Sequence, residues 1–395
     1  MLTRHRQPVH VVYGGANLFK ADTCAKLGKL AERSLTDYAP DAATLAEVLG
    51  IPTDLAPAVY ARVVDKLRRE PIEDYRIDFE DGFGIRPDAE EDAAVDSAVE
   101  HLHRAMEAGG LPPFIGFRIK SFADESRPRA LRTLDRFLRA AVKLPADFVV
   151  TLPKITALDQ VSAFMEALAP YPNLGVELMV ETSLSLMKLA EMIEMTKGRC
   201  VGAHFGPYDY TSSLGITAAN QHLLHPACNF ARSTMLVALA GSGIALSDGP
   251  TNIMPVALHR GSGLSAAQTA ENRAAVHRAW QLHYRHVRDA LYNGFYQGWD
   301  LHPAQIPIRY AAVYSFFLEG LDAASERLRN FIAMAAQATL VGSVFDDAAT
   351  GQGLLNYFLR ALRCGAIEES AIPGLTGLSL EQLRTESFAA ILKTV

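Results

Sequence analysis

Cysteine is scarce and scattered in this chain. Four of 395 residues are Cys, and Cys24, Cys200, Cys228 and Cys364 form no CxxC pair and no Cys/His spacing that suits structural zinc, so they read as buried or free thiols. Basic clusters are missing too. No Lys/Arg run exceeds three residues, and the formal charge is -6, which leaves no positive field for a phosphate backbone and makes nucleic acid an unexpected partner. Long apolar runs are absent. The polar, basic start Met1 to Pro8 leads only into Val9 to Tyr13, too short for a signal-peptide core or a membrane span, so a cytoplasmic protein without a membrane partner is expected. The Gly14-Gly15 pair is followed by no GxGxxG or GxxxxGK[ST], which removes the support for a Rossmann or P-loop reading. No low-complexity linker marks a second independent domain.

What is present is a large apolar fraction, 49% against 21% charge, enough for a sizeable core. Short runs rich in β-branched and aromatic residues recur, each followed by a Gly/Pro/Asp turn and a stretch of helical periodicity. The predicted strands cover 9–13, 75–79, 114–119, 147–152, 175–180, 200–205, 243–247 and 296–301, with helices at 89–108, 127–142, 156–168, 183–197, 220–240 and 267–293 between them. Eight such units predict an α/β fold, a closed (β/α)8 TIM barrel with parallel strands, more than an open sheet. Residues 34–70 read as a helical insertion after the first strand. Residues 1–321 are then a barrel domain, and 322–395 a helical extension whose apolar spacing (Leu328, Phe331, Ile332, Ala335, Leu354, Leu355, Phe358, Leu359) must pack on the barrel or on a neighbouring subunit. A homo-oligomer is expected.

In a barrel the carboxyl ends of the strands form the catalytic face, and nearly every predicted strand here ends on polar residues. Glu181 and Asp209 leave adjacent strands. Each alone could serve a helix N-terminus, but together they converge as oxygen ligands suited to Mg2+ or Mn2+. Arg118 ends an apolar strand and needs an anion, either a substrate carboxylate held bidentately or an internal partner among Asp78, Glu80 and Asp81. Those three acids, in DFEDG, suit a supporting shell for metal waters and basic side chains. Lys154 could form a Schiff base, but with a metal as electrophile it better balances charge or touches substrate. Gly14 and Gly15 allow close backbone approach to a carboxylate or carbonyl, Asn17 beside them is a candidate substrate contact, and Pro207 shapes the turn before Asp209. The proton carrier is open between His204, on an inward strand position, Asp248 and His302.

The order VxGGxN, DFEDG, FRIK, LPK, VET, GxxDYTxxLG and WDLHPAQ, over residues 9 to about 306, resembles the HpcH/HpaI aldolase and citrate lyase beta-subunit family of the phosphoenolpyruvate/pyruvate barrel superfamily. The resemblance implies that Glu181 and Asp209 are the Mg2+ ligands, that Arg118 grips a substrate carboxylate, that Asp78, Glu80 and Asp81 support the metal, and that the HPAQ turn with His302 shapes the pocket. It implies chemistry through an enolate, stabilised by metal and Arg. The segment PTNIMPVALHRGSG after Asp248 departs from the acidic pattern of the family's thioester-using members, and no adenine or pantetheine site can be read. A metal-dependent lyase of aldolase type acting on pyruvate or a related 2-oxo acid is therefore expected first, a citryl- or malyl-CoA-type lyase with an acyl-CoA substrate second, and a non-catalytic metabolite-binding barrel third.

Overall fold

The computed structural model describes residues 6–341 and 348–393. Eight parallel strands close into a barrel in the order β1 (His10–Gly15), β2 (Asp74–Asp78), β3 (Phe114–Arg118), β4 (Val149–Leu152), β5 (Gly175–Val180), β6 (Cys200–Phe205), β7 (Ala245–Asp248) and β8 (Gln297–Asp300). Closure runs through β8 and β1, with Val12 opposite Asp300 and His10 opposite Gly298. This is the (β/α)8 fold that the alternation predicts. Every strand edge is paired, so the apolar runs are covered outside by helices and the lumen is filled by side chains.

The insertion after β1 forms three helices, Thr23–Tyr38, Ala42–Leu49 and Ala56–Arg69. Asp41 caps the second by accepting from the Thr44 amide at 2.7 Å, and Gly50 ends it in the left-handed conformation at φ 73°. Two predicted helices are shorter in fact. The stretch 183–197 breaks at Lys188 into Ser183–Met187 and Leu189–Met195, and 220–240 starts only at Pro226, where His225 is the N-cap.

After β8, helix Ile306–Glu319 is almost wholly buried and carries the extension, whose longer helices are Leu321–Val341 and Ala348–Arg363. Leu328, Leu355 and Phe358 have no exposed surface and join the same apolar cluster as the barrel helices. Polar ties add direction: Arg62 donates to Ala366 O at 3.1 Å, and Arg360 reaches Gln7 Oε1 at 2.6 Å while lying 4.4 Å from the Tyr296 ring. Gln7 precedes β1, so the extension packs on the amino-terminal end of the barrel and leaves the opposite mouth open to chemistry.

Candidate active site

The carboxyl end of β2 organises one side of the mouth. The turn after Asp78 folds back so that its carboxylate accepts from the amides of Glu80 at 2.9 Å and Gly82 at 2.7 Å. The same carboxylate takes Arg118 from β3 in fork geometry, through Nε at 2.7 Å and Nη2 at 2.6 Å. Nη1 of Arg118 lies 3.2 Å from Glu80 and 4.0 Å from Asp81. Burial works against the guanidinium charge, but Asp78 and then Glu80 outweigh it and raise its pKa well above the ordinary value. Arg118 is thus fixed and permanently charged, with the rings of Tyr13 and Trp299 at 4.8 and 5.4 Å.

Gly14 and Gly15 pack against protein here. A Cβ on Gly14 would fall 1.9 Å from the Tyr75 hydroxyl, and one on Gly15 would fall 2.3 Å from Gly82 O. Their bareness therefore lets the ends of β1 and β2 close up. Asn17 is exposed beside them.

Lys154 follows β4 with a left-handed backbone, φ 50°, a conformation that costs a non-glycine residue energy unless its surroundings hold it. The hold is visible: its amide donates to Glu181 Oε1 at 2.5 Å, and its ammonium reaches Glu80 at 2.7 Å, Asp81 at 2.8 Å and Asp209 at 3.8 Å. Burial opposes its charge, yet Glu80 and Asp81 raise its pKa, so it stays an ammonium. A Schiff-base role would need the opposite shift.

Glu181 and Asp209 stand at the ends of β5 and β6, and neither is a helix cap. Thr182 caps the helix after Glu181, closing a capping box with Ser185, and Gly206 occupies the cap before Asp209, which lies in the first turn. Glu181 is buried at 1% exposure, and Gly206 lies so close that a Cβ there would meet Glu181 Oε2 at 2.4 Å. Burial first, and Asp209 second, push the Glu181 carboxyl up to about 8. Among the described residues no Lys, Arg or His forms an ion pair with it, although its neighbours are rich in cations. Asp209 is about half exposed. No group of three or more His, Cys, Asp or Glu side chains suited to a metal occurs among the described residues, which argues against a zinc-type cage. Two carboxylates at an open mouth are what Mg2+ or Mn2+ takes when waters and substrate complete the shell, and the uncompensated Glu181 is the donor such an ion would satisfy.

The other predicted residues lie elsewhere. His204 is inside the barrel below Arg118, with Nδ1 2.8 Å from Tyr13 Oη and Nε2 2.9 Å from Glu177. Asp248 is buried against helix Pro226–Leu239, held by Arg232 at 3.0 Å, so it is not free to carry a proton at the mouth. Burial raises its pKa. His302 spends Nδ1 on the Ala304 amide at 3.2 Å, capping a short turn. Pro207 is buried and packs beside Gly249. The mouth therefore gathers Arg118, Lys154, Asp78, Glu80, Asp81, Glu181 and Asp209, and leaves Asp248 outside.

Sequence reasoning missed a buried polar layer beneath that mouth. Glu177 accepts from Arg76 Nη2 at 2.9 Å and Thr151 Oγ1 at 2.7 Å, and Arg76 also pairs with Asp74. Despite burial, Arg76 and His204 hold the Glu177 carboxyl well below its ordinary value. Trp299 was overlooked as well; its ring is 4.3 Å from that of Tyr13, and its buried Nε1 has no hydrogen-bond partner among the described residues. The alternation Asp74, Arg76, Asp78 along β2 was the available signal.

A family model described as "Domain of unknown function (DUF6986)" matches residues 3–391. No curated protein matches the chain. Among solved structures, the citrate lyase beta subunit complexed with oxaloacetate and magnesium from M. tuberculosis aligns at 19% identity and a TM-score of 0.45, covering 79% of this chain and 99% of that one. The Haloferax volcanii malate synthase lead(II) complex aligns at 14% identity and a TM-score of 0.47, covering 97% and 96%. Likenesses this remote transfer no activity.

Proposed function

The chain belongs to the family described as Domain of unknown function (DUF6986), a description that names no activity, and we propose from its barrel mouth that it is a divalent-metal-dependent carbon-carbon lyase of the aldolase type, acting through the enolate of pyruvate or a related 2-oxo acid. The observation that carries this reading is Glu181: a buried carboxylate facing Asp209, pushed up to about 8, with no cation paired to it, beside a locked guanidinium. Without a cation the carboxyl keeps its proton near neutral pH, and a divalent ion held here would displace that proton, because a buried carboxylate charge costs several kcal/mol unless something neutralises it. A divalent cation held by Glu181 and Asp209 would supply Lewis-acid stabilisation of charge developing on a substrate oxygen.

The chain's own residues do the rest. Arg118, whose Nη1 meets Glu80 at 3.2 Å and donates to Met179 Sδ at 3.4 Å, adds positive charge beside the position proposed for a substrate carboxylate, and its orientation is set by Asp78 before substrate arrives. Lys154 keeps Glu80 and Asp81 from repelling an anionic substrate. The ring faces of Tyr13 and Trp299 flank this position and limit water.

In the test, pyruvate in D2O is followed by NMR. Exchange of its methyl protons is expected with Mg2+ and not with EDTA. Glu181→Gln should lose that exchange and also the rise in Tm that Mg2+ gives the wild type, while its Tm without metal stays close to that of the wild type near neutral pH, where the carboxyl is largely protonated and the amide has nearly its shape. A wild type whose Tm ignores Mg2+ and Mn2+ and which never enolises pyruvate would overturn the reading. Stabilisation by coenzyme A esters but not by free 2-oxo acids would replace it with a thioester lyase.

A further inference from the structure

One face of the molecule has no part in the lyase reading and differs from the rest in its chemistry. Between Tyr210 and Leu258 the only Asp, Glu, Lys or Arg residues are Arg232 and Asp248. Both are buried and pair with each other at 3.0 Å, so this stretch places none of those four residue types on the surface of a chain that is 21% charged. We propose that this face is an interface at which two copies of the chain associate about a two-fold axis.

The stretch folds into one surface. Helix Pro207–Ser213 meets the segment after β7 where the Tyr208 hydroxyl donates to Pro250 O at 2.8 Å. Arg232, on helix Pro226–Leu239, donates to Leu223 O at 3.5 Å and joins the end of β7 through Asp248. Large apolar side chains stand out from each part: Leu214 after the first helix, Phe230 and Val237 on the second, and Ile253, Met254 and Leu258 after β7. Phe230 and Val237 lie two helical turns apart and so share the outer face of their helix, 56% and 80% exposed. Ser233 and Thr234 stand between them, not a charge. Other exposed apolar residues have charged neighbours, as Ile85 has Arg86, Leu131 has Arg132 and Val142 has Lys143.

Charge decides what this face can meet. Each copy carries a formal -6, and a two-fold interface sets a patch against itself, so a patch of one sign would repel its own copy. A face without charges escapes that repulsion and gives an acidic or basic partner nothing to match. Area agrees. Seven of the fifteen exposed large apolar side chains among the described residues lie in this stretch. Each is roughly half exposed, which leaves on the order of 600 Å² of apolar surface in water, the upper end for a patch on an ordinary monomer. With the Ser, Thr, Ala and Asn surface between them, each copy approaches the roughly 800 Å² per partner of a standard interface. The C-terminal extension is not free for this task, since Leu328, Leu355 and Phe358 already join the barrel's own core.

The experiment is sedimentation velocity of the full chain over a roughly thousandfold dilution series. The wild type should be a dimer that dissociates on dilution, with a Kd that hardly responds to salt because no exposed charge is buried. The double variant Phe230→Glu, Val237→Glu should weaken the Kd by about 10²-fold, since both side chains face solvent in the monomer and charge enters only the contact. Val142→Glu, an equally exposed apolar site elsewhere, should leave the Kd as it was. Hydrogen exchange of the unaltered chain, concentrated against dilute, should gain protection within 210–258, a readout that needs no variant to fold. A chain that stays monomeric throughout, a Kd indifferent to both glutamates, protection confined to other segments, or a monomer that instead binds phosphatidylcholine vesicles through Phe230 overturns the proposal. None of these readouts uses metal or pyruvate, so the lyase reading stands or falls separately.

Discussion

Arg118 shows what one residue at a strand end has to settle. The chain offered two partners for its charge, an external carboxylate or the acids of DFEDG, and the folded protein uses the second, with the guanidinium buried against Asp78 and Glu80. Asp78 is 1% exposed and Glu80 mostly buried, so removing the guanidinium strands two carboxylates in a poor dielectric. Arg118→Ala is expected to cost about 3–5 kcal/mol in urea unfolding, the usual penalty for breaking a buried ion pair. Arg118→Lys should recover part of that stability without the forked geometry, and so without substrate affinity. The mouth acids were legible because each ends a strand on a polar residue after apolar ones. Arg76 was legible only through its place two residues before Asp78, on the same face of β2, and Glu177 was not, since a charge within a strand reads as outward-facing. Only closure of the barrel shows that both turn inward and satisfy each other. His204 and Asp248 were legible as strand residues, but their partners come from other elements, and no spacing along one chain encodes that Asp248 meets Arg232.

At the scale of elements, strands were located well and helix ends less so. A β-branched run between turn residues has sharp limits, whereas 183–197 carries one apolar stripe across the break at Lys188, which is set by packing. The 28 residues from Glu181 to Asp209 amount to one β-α step, and the structure puts them at the ends of neighbouring β5 and β6. Turns carry constraints of another kind. Gly15 and Gly82 bring the ends of β1 and β2 together, and a methyl on Gly15 would meet backbone at 2.3 Å rather than a side chain able to rotate away. Gly15→Ala should therefore destabilise by about 1–3 kcal/mol, the range for overpacking. It should also weaken pyruvate binding, because the Gly82 amide that it displaces holds Asp78, and Asp78 holds Arg118. A variant that loses stability but binds pyruvate as tightly as the wild type would show that the two turns are not coupled in this way.

The whole molecule concentrates ionisable groups in its interior, and that sets how it answers acid. Outside the barrel, between β8 and helices Ala266–Tyr292 and Ile306–Glu319, Asp300 lies 3.1 Å from His10, 3.1 Å from His283 and 2.8 Å from Arg309, while Thr251 bonds both His283 at 2.9 Å and His286 at 3.0 Å. Burial, and then His283 nearby, push the His286 imidazole down to about 3; burial also lowers His283 although Asp300 pulls the other way. An unfolded chain protonates these rings near pH 6.5, whereas the folded one protonates His286 only near pH 3 and His283 below its ordinary value. The unfolded state thus binds more protons throughout that window, so the stability these groups contribute is complete above about pH 7 and declines as pH falls from about 6.5 toward 3. For His286 the loss reaches roughly 2 kcal/mol at pH 5, counted at 1.36 kcal/mol per pH step below the unfolded value. Urea midpoints between pH 8 and 5 measure it, and His286→Gln should flatten the acid-side slope by about one proton. If the slope is unchanged in that variant, the proton uptake belongs to other groups. The same series run with and without Mg2+ should show parallel acid limbs, because this cluster lies outside the barrel and, among the described residues, no hydrogen bond or ion pair links it to Glu181 or Asp209.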